Sequence, residues 1–177
     1  MDKAGKSRAL NFIQQPSYMK HLIIYALLFL GMLACQTPAS NEEAPITLEE
    51  KMIAMNLVQG SFDDLWGGLD STKILDYHTK DYIILEQGSV WDNDRIKQFM
   101  RNQLAKPDRP KRINTMEYIS IDKYGPSMQI AWFNHADFMR ADTLSSTANW
   151  LESAVAIETP DGWRLKMMHS TWVGNDK

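Results

Sequence analysis

The feature that most constrains the fold is the C-terminal stretch from Asn149 to Trp172. It reads NWLESAVAIE, then TPDG, then WRLKMMHSTW. Two runs of alternating side chains flank a Pro-Asp-Gly turn, which is typical of a β-hairpin. Alternation places Trp150, Glu152, Ala154 and Ala156 on one face of the first strand. It places Trp163, Leu165, Met167, His169 and Thr171 on one face of the second. A carboxylate and an imidazole on otherwise apolar faces predict a lined pocket.

Three helices are predicted before the long strands. Thr47 and Glu50 form a capping box at the start of the first helix, and Gly67-Gly68 ends it. Apolar residues recur behind this cap at helical spacing: Leu48, Met52, Met55, Val58, Phe62, Leu65 and Trp66. We expect the methionines to fill gaps in the core. Asp70 and Asp92 are the expected caps of the second and third helices.

The strands are predicted over residues 81–86, 112–122, 128–139 and the final hairpin, with a polar loop over 140–147. Helices segregated to one side of a mainly antiparallel sheet make an α+β domain. The sequence contains no glycine-rich phosphate loop, no HExxH and no CxxC. We therefore expect no cofactor and no metal site.

An export signal is predicted over residues 1–34. The apolar run from Leu22 to Ala34 is too short to span a membrane and suits a signal peptide. Leu33-Ala34-Cys35 resembles the lipobox of bacterial lipoproteins, although Met32 stands where leucine is usual. We expect a lipidated Cys35 facing the periplasm or the exterior; the alternative is an ordinary signal peptide with a chance cysteine. Met19 is the expected true start, and a long N-terminal region is the alternative.

The predicted mature chain is acidic. It starts at residue 35 with a polar tether, 35–46, followed by one domain over 47–173. Residues 1–34 hold four basic residues and one acidic residue, so the remaining 143 residues carry a formal net charge of −6, against −3 for the whole chain. An acidic domain without a basic stripe is a poor nucleic-acid binder. The only cysteine stands at the predicted new terminus, so no disulfide is expected.

Several stretches resemble the nuclear transport factor 2-like superfamily, which includes SnoaL-like and ketosteroid-isomerase-like domains. GLDSTKILDYHTKDYIILE resembles the region that ends at the general base of ketosteroid isomerases. AWFN, ESAVAIETPDGW and MHST resemble strands of the association domain of calmodulin-dependent kinases. The resemblance covers about residues 47–172. It implies a cone in which three helices pack on a strongly curved sheet, with a cavity between them.

The resemblance places Glu86 at the isomerases' general base, but the other functional positions differ. Phe62 falls where the isomerases have an oxyanion-stabilising tyrosine, and Ala154 falls where they have a protonated aspartate. Two cavity arginines of the kinase domains fall on Asn134 and Ala154. Neither the steroid chemistry nor that arginine-lined pocket is therefore expected here.

The candidate site combines three possible catalytic side chains with an apolar wall. Glu86, Glu152 and His169 are the catalytic candidates, because burial raises the pKa of a carboxyl group and suits it to proton transfer. The alternative is a structural pairing of Glu152 with His169. A zinc site at these three residues is conceivable, but one histidine makes a weak ligand set. The expected ligand-binding residues are Phe62, Trp66, Trp132, Asn134, Trp150 and Met167.

Two classes of function remain open at this stage. One is a lipid-anchored domain that binds a small, largely apolar ligand, or dimerises, without catalysis. The other is a cofactor-free lyase, isomerase or hydrolase that uses Glu86 or Glu152 as a base. A homodimer is expected because the outer sheet face is apolar. Its predicted members are Ala131, Phe133, Leu151, Val155, Ile157, Met168 and Trp172.

Overall fold

The computed structural model describes residues 45–174. The predicted signal peptide, Cys35 and nearly all of the tether lie outside these residues. In chain order the elements are α1 (Leu48–Ser61), a π-helical turn (Phe62–Gly67), a 3-10 turn (Ser71–Lys73), α2 (Ile74–Tyr77), β1 (His78–Glu86), β2 (Ser89–Asp92), α3 (Asn93–Leu104), β3 (Lys111–Tyr124), β4 (Ser127–Arg140), β5 (Thr143–Thr159) and β6 (Gly162–Gly174). Within this part of the chain, no helix has the length and hydropathy needed to cross a membrane.

Helix α1 begins at the predicted cap, but only part of its predicted apolar stripe is buried. The hydroxyl of Thr47 accepts the amide of Glu50 at 3.2 Å, and the Glu50 carboxylate accepts the amide of Thr47 at 2.8 Å. The predicted core residues Leu48, Met52 and Met55 are exposed. The buried residues of α1 are Ala54, Leu57, Val58 and Ser61, of which Val58 was predicted. The prediction followed the largest apolar side chains, whereas the buried face also includes the small residues Ala54 and Ser61.

A π-helical turn continues α1 and brings Phe62 and Leu65 into the core. The turn ends at Gly67, as predicted. A Cβ at Gly67 would lie 3.0 Å from the carbonyl oxygen of Arg112. The glycine therefore allows the turn to pack directly on the start of β3.

The other two helices have the predicted caps. Asp70 accepts the amide of Thr72 at 3.0 Å, and the 3-10 turn there leads into α2. Asp92 accepts the amide of Arg95 at 2.8 Å at the start of α3. Ile96 and Met100 of α3 are fully buried, which matches the amphipathic pattern of this helix.

The six strands form one mixed sheet in the order β2-β1-β6-β5-β4-β3. β1 runs parallel to β6, and the other four neighbouring pairs are antiparallel. The fold is therefore α+β, with three helices and a mainly antiparallel sheet. β2 has no counterpart in the prediction because four residues are too few to show alternation.

The predicted loop over 140–147 is wrong. β4 and β5 continue through this stretch to a two-residue turn, Ala141-Asp142, with φ values of 46° and 62°. Positive φ at both central residues matches the twist of a tight hairpin. A run of polar residues on two exposed strand ends has the composition of a loop, so the sequence pattern was misleading.

The hydrophobic core lies between the helices and the inner face of the sheet. Its strand members alternate in sequence, as expected for one buried face. The fully buried strand residues include Ile84 on β1, Ile130 and Trp132 on β4, Ala156 on β5 and Leu165 on β6.

A β-bulge in β6 changes which residues face the core. Ala156 pairs with Leu165, but the preceding Val155 pairs with Met167, so Lys166 is the extra residue. The extra residue reverses the alternation beyond it. Met168 and Ser170 are buried as a result, and His169 is exposed.

Candidate functional site

A cavity of about 360 Å³ lies between the helices and the inner face of the sheet. Side chains from the π-helical turn, α3 and five of the six strands contribute to it. The lining residues are Phe62, Trp66, Ile84, Glu86, Gln87, Ser89, Trp91, Arg95, Phe99, Arg112, Trp150, Glu152, Met168 and Ser170. Five of these fourteen residues are aromatic, and seven are polar or charged. A concave site that combines apolar walls with polar groups suits a small molecule.

Glu152, on β5, is held by a network of neutral donors. Its Oε2 accepts the indole N–H of Trp132 at 2.9 Å and the amide of Asn134 at 2.8 Å. Its Oε1 accepts the hydroxyl of Ser170 at 2.9 Å. Burial raises the pKa of Glu152 to about 7, while these hydrogen bonds and the charge of Arg112 oppose the rise. The carboxyl group can therefore be charged or neutral near neutral pH.

The network continues behind the cavity to β3. The amide of Asn114 donates to Oδ1 of Asn134 at 2.6 Å. Because Asn134 accepts with its oxygen, its amide nitrogen is turned toward Glu152. Asn114 therefore fixes the orientation in which Asn134 can support a carboxylate.

Arg112 is one of two arginines that line the cavity, with Arg95, and aromatic rings surround it. The guanidinium carbon lies 4.7 Å from the ring centre of Trp150, 5.8 Å from Phe62, 5.9 Å from Phe138 and 6.0 Å from Trp66. Burial lowers the pKa of Arg112 to about 10, and the charges of Glu152 and Glu86 oppose the decrease. The side chain is thus a cation at neutral pH. Its buried Nε has no hydrogen-bond partner among the described residues.

Glu86, at the end of β1, is the second carboxyl group on the cavity wall. It is half-buried, and this burial raises its pKa. A hydrogen bond from Ser170 and the charges of Arg112 and His169 oppose the increase. Ser170 therefore contacts both Glu86 and Glu152. A hydroxyl group has one proton and cannot donate it to both carboxyl groups at once.

Five of the predicted site residues line the cavity: Phe62, Trp66, Glu86, Trp150 and Glu152. Trp132 and Asn134 are fully buried behind the wall, where they support Glu152 rather than contact the open space. The structure thus brings together the two acidic candidates and most of the predicted aromatic wall.

The predicted positions of Met167 and His169 are wrong. Both lie on the outer side of the sheet, because the bulge at Lys166 exchanges them with Met168 and Ser170. The expected pairing of Glu152 with His169 is also absent, and Ser170 occupies that role. A zinc site formed by Glu86, Glu152 and His169 is excluded because His169 lies on the outer side of the sheet. Among residues 45–174, no three His, Cys, Asp or Glu side chains are grouped to hold a metal ion.

The principal residue that the sequence interpretation missed is Arg112. Strict alternation along the start of β3 places Arg112 on the same face as Asn114 and Met116. The inward orientation of this cation could therefore have been predicted from the sequence. Trp91 was missed because it belongs to the unpredicted β2. Arg95 and Phe99 come from α3, whose cavity-facing side cannot be deduced without knowing how the helix docks.

No protein-family model and no curated protein sequence matches the chain. Solved structures do match its fold. A nuclear transport factor 2-like superfamily protein from Salmonella enterica is 17% identical with a TM-score of 0.55, over 73% of this chain and 92% of that chain. The CamKII hub homology domain of Chlamydomonas reinhardtii is 17% identical with a TM-score of 0.60, over 70% of this chain and 98% of that one.

A third similar structure is a ketosteroid isomerase-like protein from Erwinia carotovora atroseptica. It is 11% identical with a TM-score of 0.54, over 73% of this chain and 99% of that chain. Identities this low establish the fold alone. The chain has the fold of the nuclear transport factor 2-like superfamily.

Proposed function

We propose that the domain binds a small, largely apolar molecule with one polar end and does not catalyse a reaction. The observation that carries this proposal is the 360 Å³ cavity, in which aromatic walls enclose Arg112, Glu152 and Glu86. We also infer that the sheet curves strongly, since an open cavity requires its inner face to bend away from the helices. Glu152 has both oxygens engaged by internal donors, which suits a binding group better than a base.

A catalytic function through Glu86 is the second candidate. Glu86 lines the cavity and its raised pKa suits proton transfer. Glu152 also has a raised pKa, but its supporting donors would resist a change of position during a reaction. Glu86 is therefore the better candidate for a general base in a cofactor-free lyase, isomerase or hydrolase.

Identification of a co-purifying molecule tests the binding function. The purified protein is analysed by native mass spectrometry, and a bound small molecule is expected at a ratio of one per cavity. Trp150→Ala, which opens the wall, should lose it. The control is Leu144→Ala on the same strand, because Leu144 is exposed and does not line the cavity.

A Glu86→Gln variant separates the two candidates once a ligand is known. If Glu86 is a base, the variant binds the ligand but loses turnover, because an amide keeps the shape and cannot accept a proton. If the domain only binds, no turnover exists to lose and the ligand is recovered unchanged. Conversion of the ligand by the wild-type protein would exclude the non-catalytic proposal.

We also propose a homodimer through the outer face of the sheet. Phe133 and Leu151 pair directly across β4 and β5 on this face, and their exposed fractions are 47% and 41%. Ala131, Val155 and Met167 lie on the same side. Two of the predicted members are wrong: Met168 is buried in the core, and Trp172 pairs with the cavity residue Trp150, which places it on the inner side.

Sedimentation at micromolar concentration tests the dimer. The wild type is expected to sediment as a dimer, and Phe133→Glu with Leu151→Glu should give a monomer, because apposed charges would be buried. The control is Leu48→Glu with Met52→Glu, two exposed apolar residues on α1. A monomeric wild type, or equal effects of both double variants, would contradict the outer face as the interface.

We propose that Cys35 carries a lipid that anchors the domain in the cell envelope. The support is the sequence alone: an apolar run of signal-peptide length that ends at Leu33-Ala34-Cys35. The protein should sit in a membrane fraction and leave it when Cys35→Ala is introduced. Fractionation of this variant with the membrane would contradict the lipid anchor.

A further inference from the structure

The geometry points to a specific class of ligand, on the premise that the cavity binds a small molecule as proposed above. We propose that the ligand is a small carboxylic acid with a flat, unsaturated body, that it binds as an anion to Arg112, and that Glu152 takes up a proton when it binds.

The negative charge of the proposed ligand follows from the surroundings of Arg112. Ring faces at 4.7 to 6.0 Å stabilise its charge, but they do not provide acceptors for the N–H groups in the guanidinium plane. The buried Nε has no partner among the described residues. Nε itself is closed to the open space, so an anion pairs with the guanidinium where Arg112 lines the cavity, and a planar carboxylate suits that contact.

The two acidic side chains of the cavity restrict the charge of that anion. A phosphate monoester carries close to two negative charges at neutral pH, and it would lie near both Glu86 and Glu152. A carboxylate carries one charge and can be accommodated when one acidic group is neutral. The cavity therefore favours a monocarboxylate over a phosphate.

The flat, unsaturated body of the proposed ligand follows from the aromatic side chains that line the cavity. Trp66, Trp91, Phe99 and Trp150 line the space beside Arg112, and aromatic rings prefer offset or edge contacts with other π systems. The cavity volume of about 360 Å³ lies at the small end of the usual range for ligand sites, roughly 300–1,000 Å³. An unsaturated acid of one or two rings satisfies both the walls and the volume.

The predicted uptake of a proton by Glu152 follows from the groups that face its carboxyl group. Its neutral donors come from β4 and β6, and its charged or titratable neighbours are Arg112 on β3 with Glu86 and Tyr82 on β1. Arg95 of α3 also lines the cavity. In the empty cavity, Arg112 stabilises the carboxylate of Glu152. An anion on Arg112 removes that stabilisation and adds a like charge, so the neutral acid is favoured.

Two features lower the free-energy cost of protonating Glu152. Burial already raises the pKa of Glu152 to about 7 in the empty cavity. Ser170 contacts both Glu152 and Glu86 but has a single hydroxyl proton. When Glu152 is protonated, it can donate to the Ser170 oxygen, and the Ser170 hydroxyl can then donate to Glu86. By linkage, affinity should fall about tenfold per pH unit above pH 7, up to the pKa of the bound form.

The indole N–H of Trp132 provides a direct reporter, because it donates to Oε2 of Glu152 at 2.9 Å. Its NMR signal in the full-length protein should titrate with the ionisation of Glu152. The probes are matched pairs of acid and amide: benzoate with benzamide, and 2-naphthoate with 2-naphthamide. Calorimetry in buffers with different ionisation heats counts the protons taken up.

The expected result is preferential, proton-linked binding of the acids. At pH 6 at least one acid should bind at least about tenfold more tightly than its amide, which corresponds to about 1.4 kcal/mol. At pH 8 close to one proton should be taken up per acid bound. The Trp132 indole signal should then move to its low-pH position.

Variants separate the contributions of the two residues. Arg112→Gln should abolish the preference for acids, and Arg112→Lys should retain part of it if the glutamine variant does not fold. The matched control is Arg101→Gln, which removes an exposed cation from α3. Glu152→Gln should bind the acids with an affinity that no longer depends on pH between 6 and 8.

The possible failures are distinguishable. Equal binding of acids and amides would overturn the anion while leaving the ligand-binding function intact. Acid preference without proton uptake would overturn the role of Glu152. If none of the probes shifts the indole signals of Trp66 or Trp150, the proposed ligand class fails, whereas the ligand-binding function is decided separately by the co-purification experiment.

Discussion

Glu152 in the cavity and His78 at the start of β1 are both buried titratable groups, with exposed fractions of 4% and 1%. Their surroundings differ. Glu152 accepts three side-chain hydrogen bonds. His78 makes one, between Nδ1 and Oδ1 of Asn93 at 3.0 Å, and its Nε2 has no partner among the described residues. Its ring stacks on Tyr82 with centroids 3.7 Å apart.

The difference shows how the surroundings decide whether a buried group can change charge. Desolvation disfavours the charged form of both residues. At Glu152 the donors and Arg112 limit this effect, so its pKa is about 7. At His78 the hydrogen bond to Asn93 compensates little, and burial lowers its pKa to about 4. The cavity group can therefore titrate near neutral pH, whereas His78 stays neutral there.

Removal of the Glu152 side chain should have the largest effect on stability. Glu152→Ala leaves the donors of Trp132, Asn134 and Ser170 without their acceptor, at about 1–3 kcal/mol for each group that water does not reach. We expect a loss of roughly 3–5 kcal/mol in the free energy of unfolding at pH 5. Ser153→Ala, on the exposed side of the same strand, is the control. A loss below about 1 kcal/mol would show that water replaces the network.

The pH dependence of Glu152 should be visible against Glu152→Gln. The folded-state pKa of about 7 lies above the value of 4.5 for the free side chain. Its contribution is therefore fully present below pH 4.5 and lost as the pH rises to 7. Relative to the variant, the wild type should lose about 3 kcal/mol across this window. Urea unfolding at a series of pH values measures it, and parallel curves would contradict the raised pKa.

His78 should show the opposite slope. Its folded-state pKa of about 4 lies below the value of 6.5 for the free side chain. The contribution is present above pH 6.5 and lost as the pH falls to 4. Relative to His78→Gln, the wild type should lose about 3 kcal/mol over this range. The pH-dependent contributions of Glu152 and His78 to the free energy of unfolding should therefore nearly cancel between pH 4.5 and 6.5. Each variant should reveal the pH dependence contributed by the residue that remains.

Tyr82→Phe should have the smallest effect. The hydroxyl of Tyr82 is buried and has no hydrogen-bond partner among the described residues. Its removal deletes an unsatisfied polar group and keeps the ring that stacks on His78. We expect a gain of up to about 1 kcal/mol in the free energy of unfolding. A loss of similar size would indicate that an internal water satisfies the hydroxyl.

The sequence was sufficient for the parts of the site that lie on regular strands. Alternation along β5 places Trp150 and Glu152 on the inner face, where the structure has them. The same rule fails on β6, because it cannot detect the extra residue at Lys166. The consequence is the wrong orientation of His169 and hence the wrong partner for Glu152. A single bulge depends on pairing between strands, which the spacing of residues within one strand does not encode.

Helix α1 illustrates a second limit. Its start was predictable from Thr47 and Glu50, because a capping box is a local interaction. Its buried face was predictable only in part, because it combines the predicted Val58 with the small residues Ala54 and Ser61, which large apolar spacing does not indicate. The role of Arg112 depends on rings from the π-helical turn and β5. These elements meet only in the folded protein.

The parallel pairing of β1 with β6 has a consequence for the order of events during folding. Glu86 pairs with Ser170, so the acidic wall of the cavity joins an early strand to the last one that the structure describes. Of the two strands that flank β1 in the sheet, only β2 is close to it along the chain, and an isolated two-stranded hairpin is marginally stable. The aromatic residues that later enclose the cavity must wait for β6. Contacts between such distant segments slow folding, so the ligand site is among the last features of the domain to be completed.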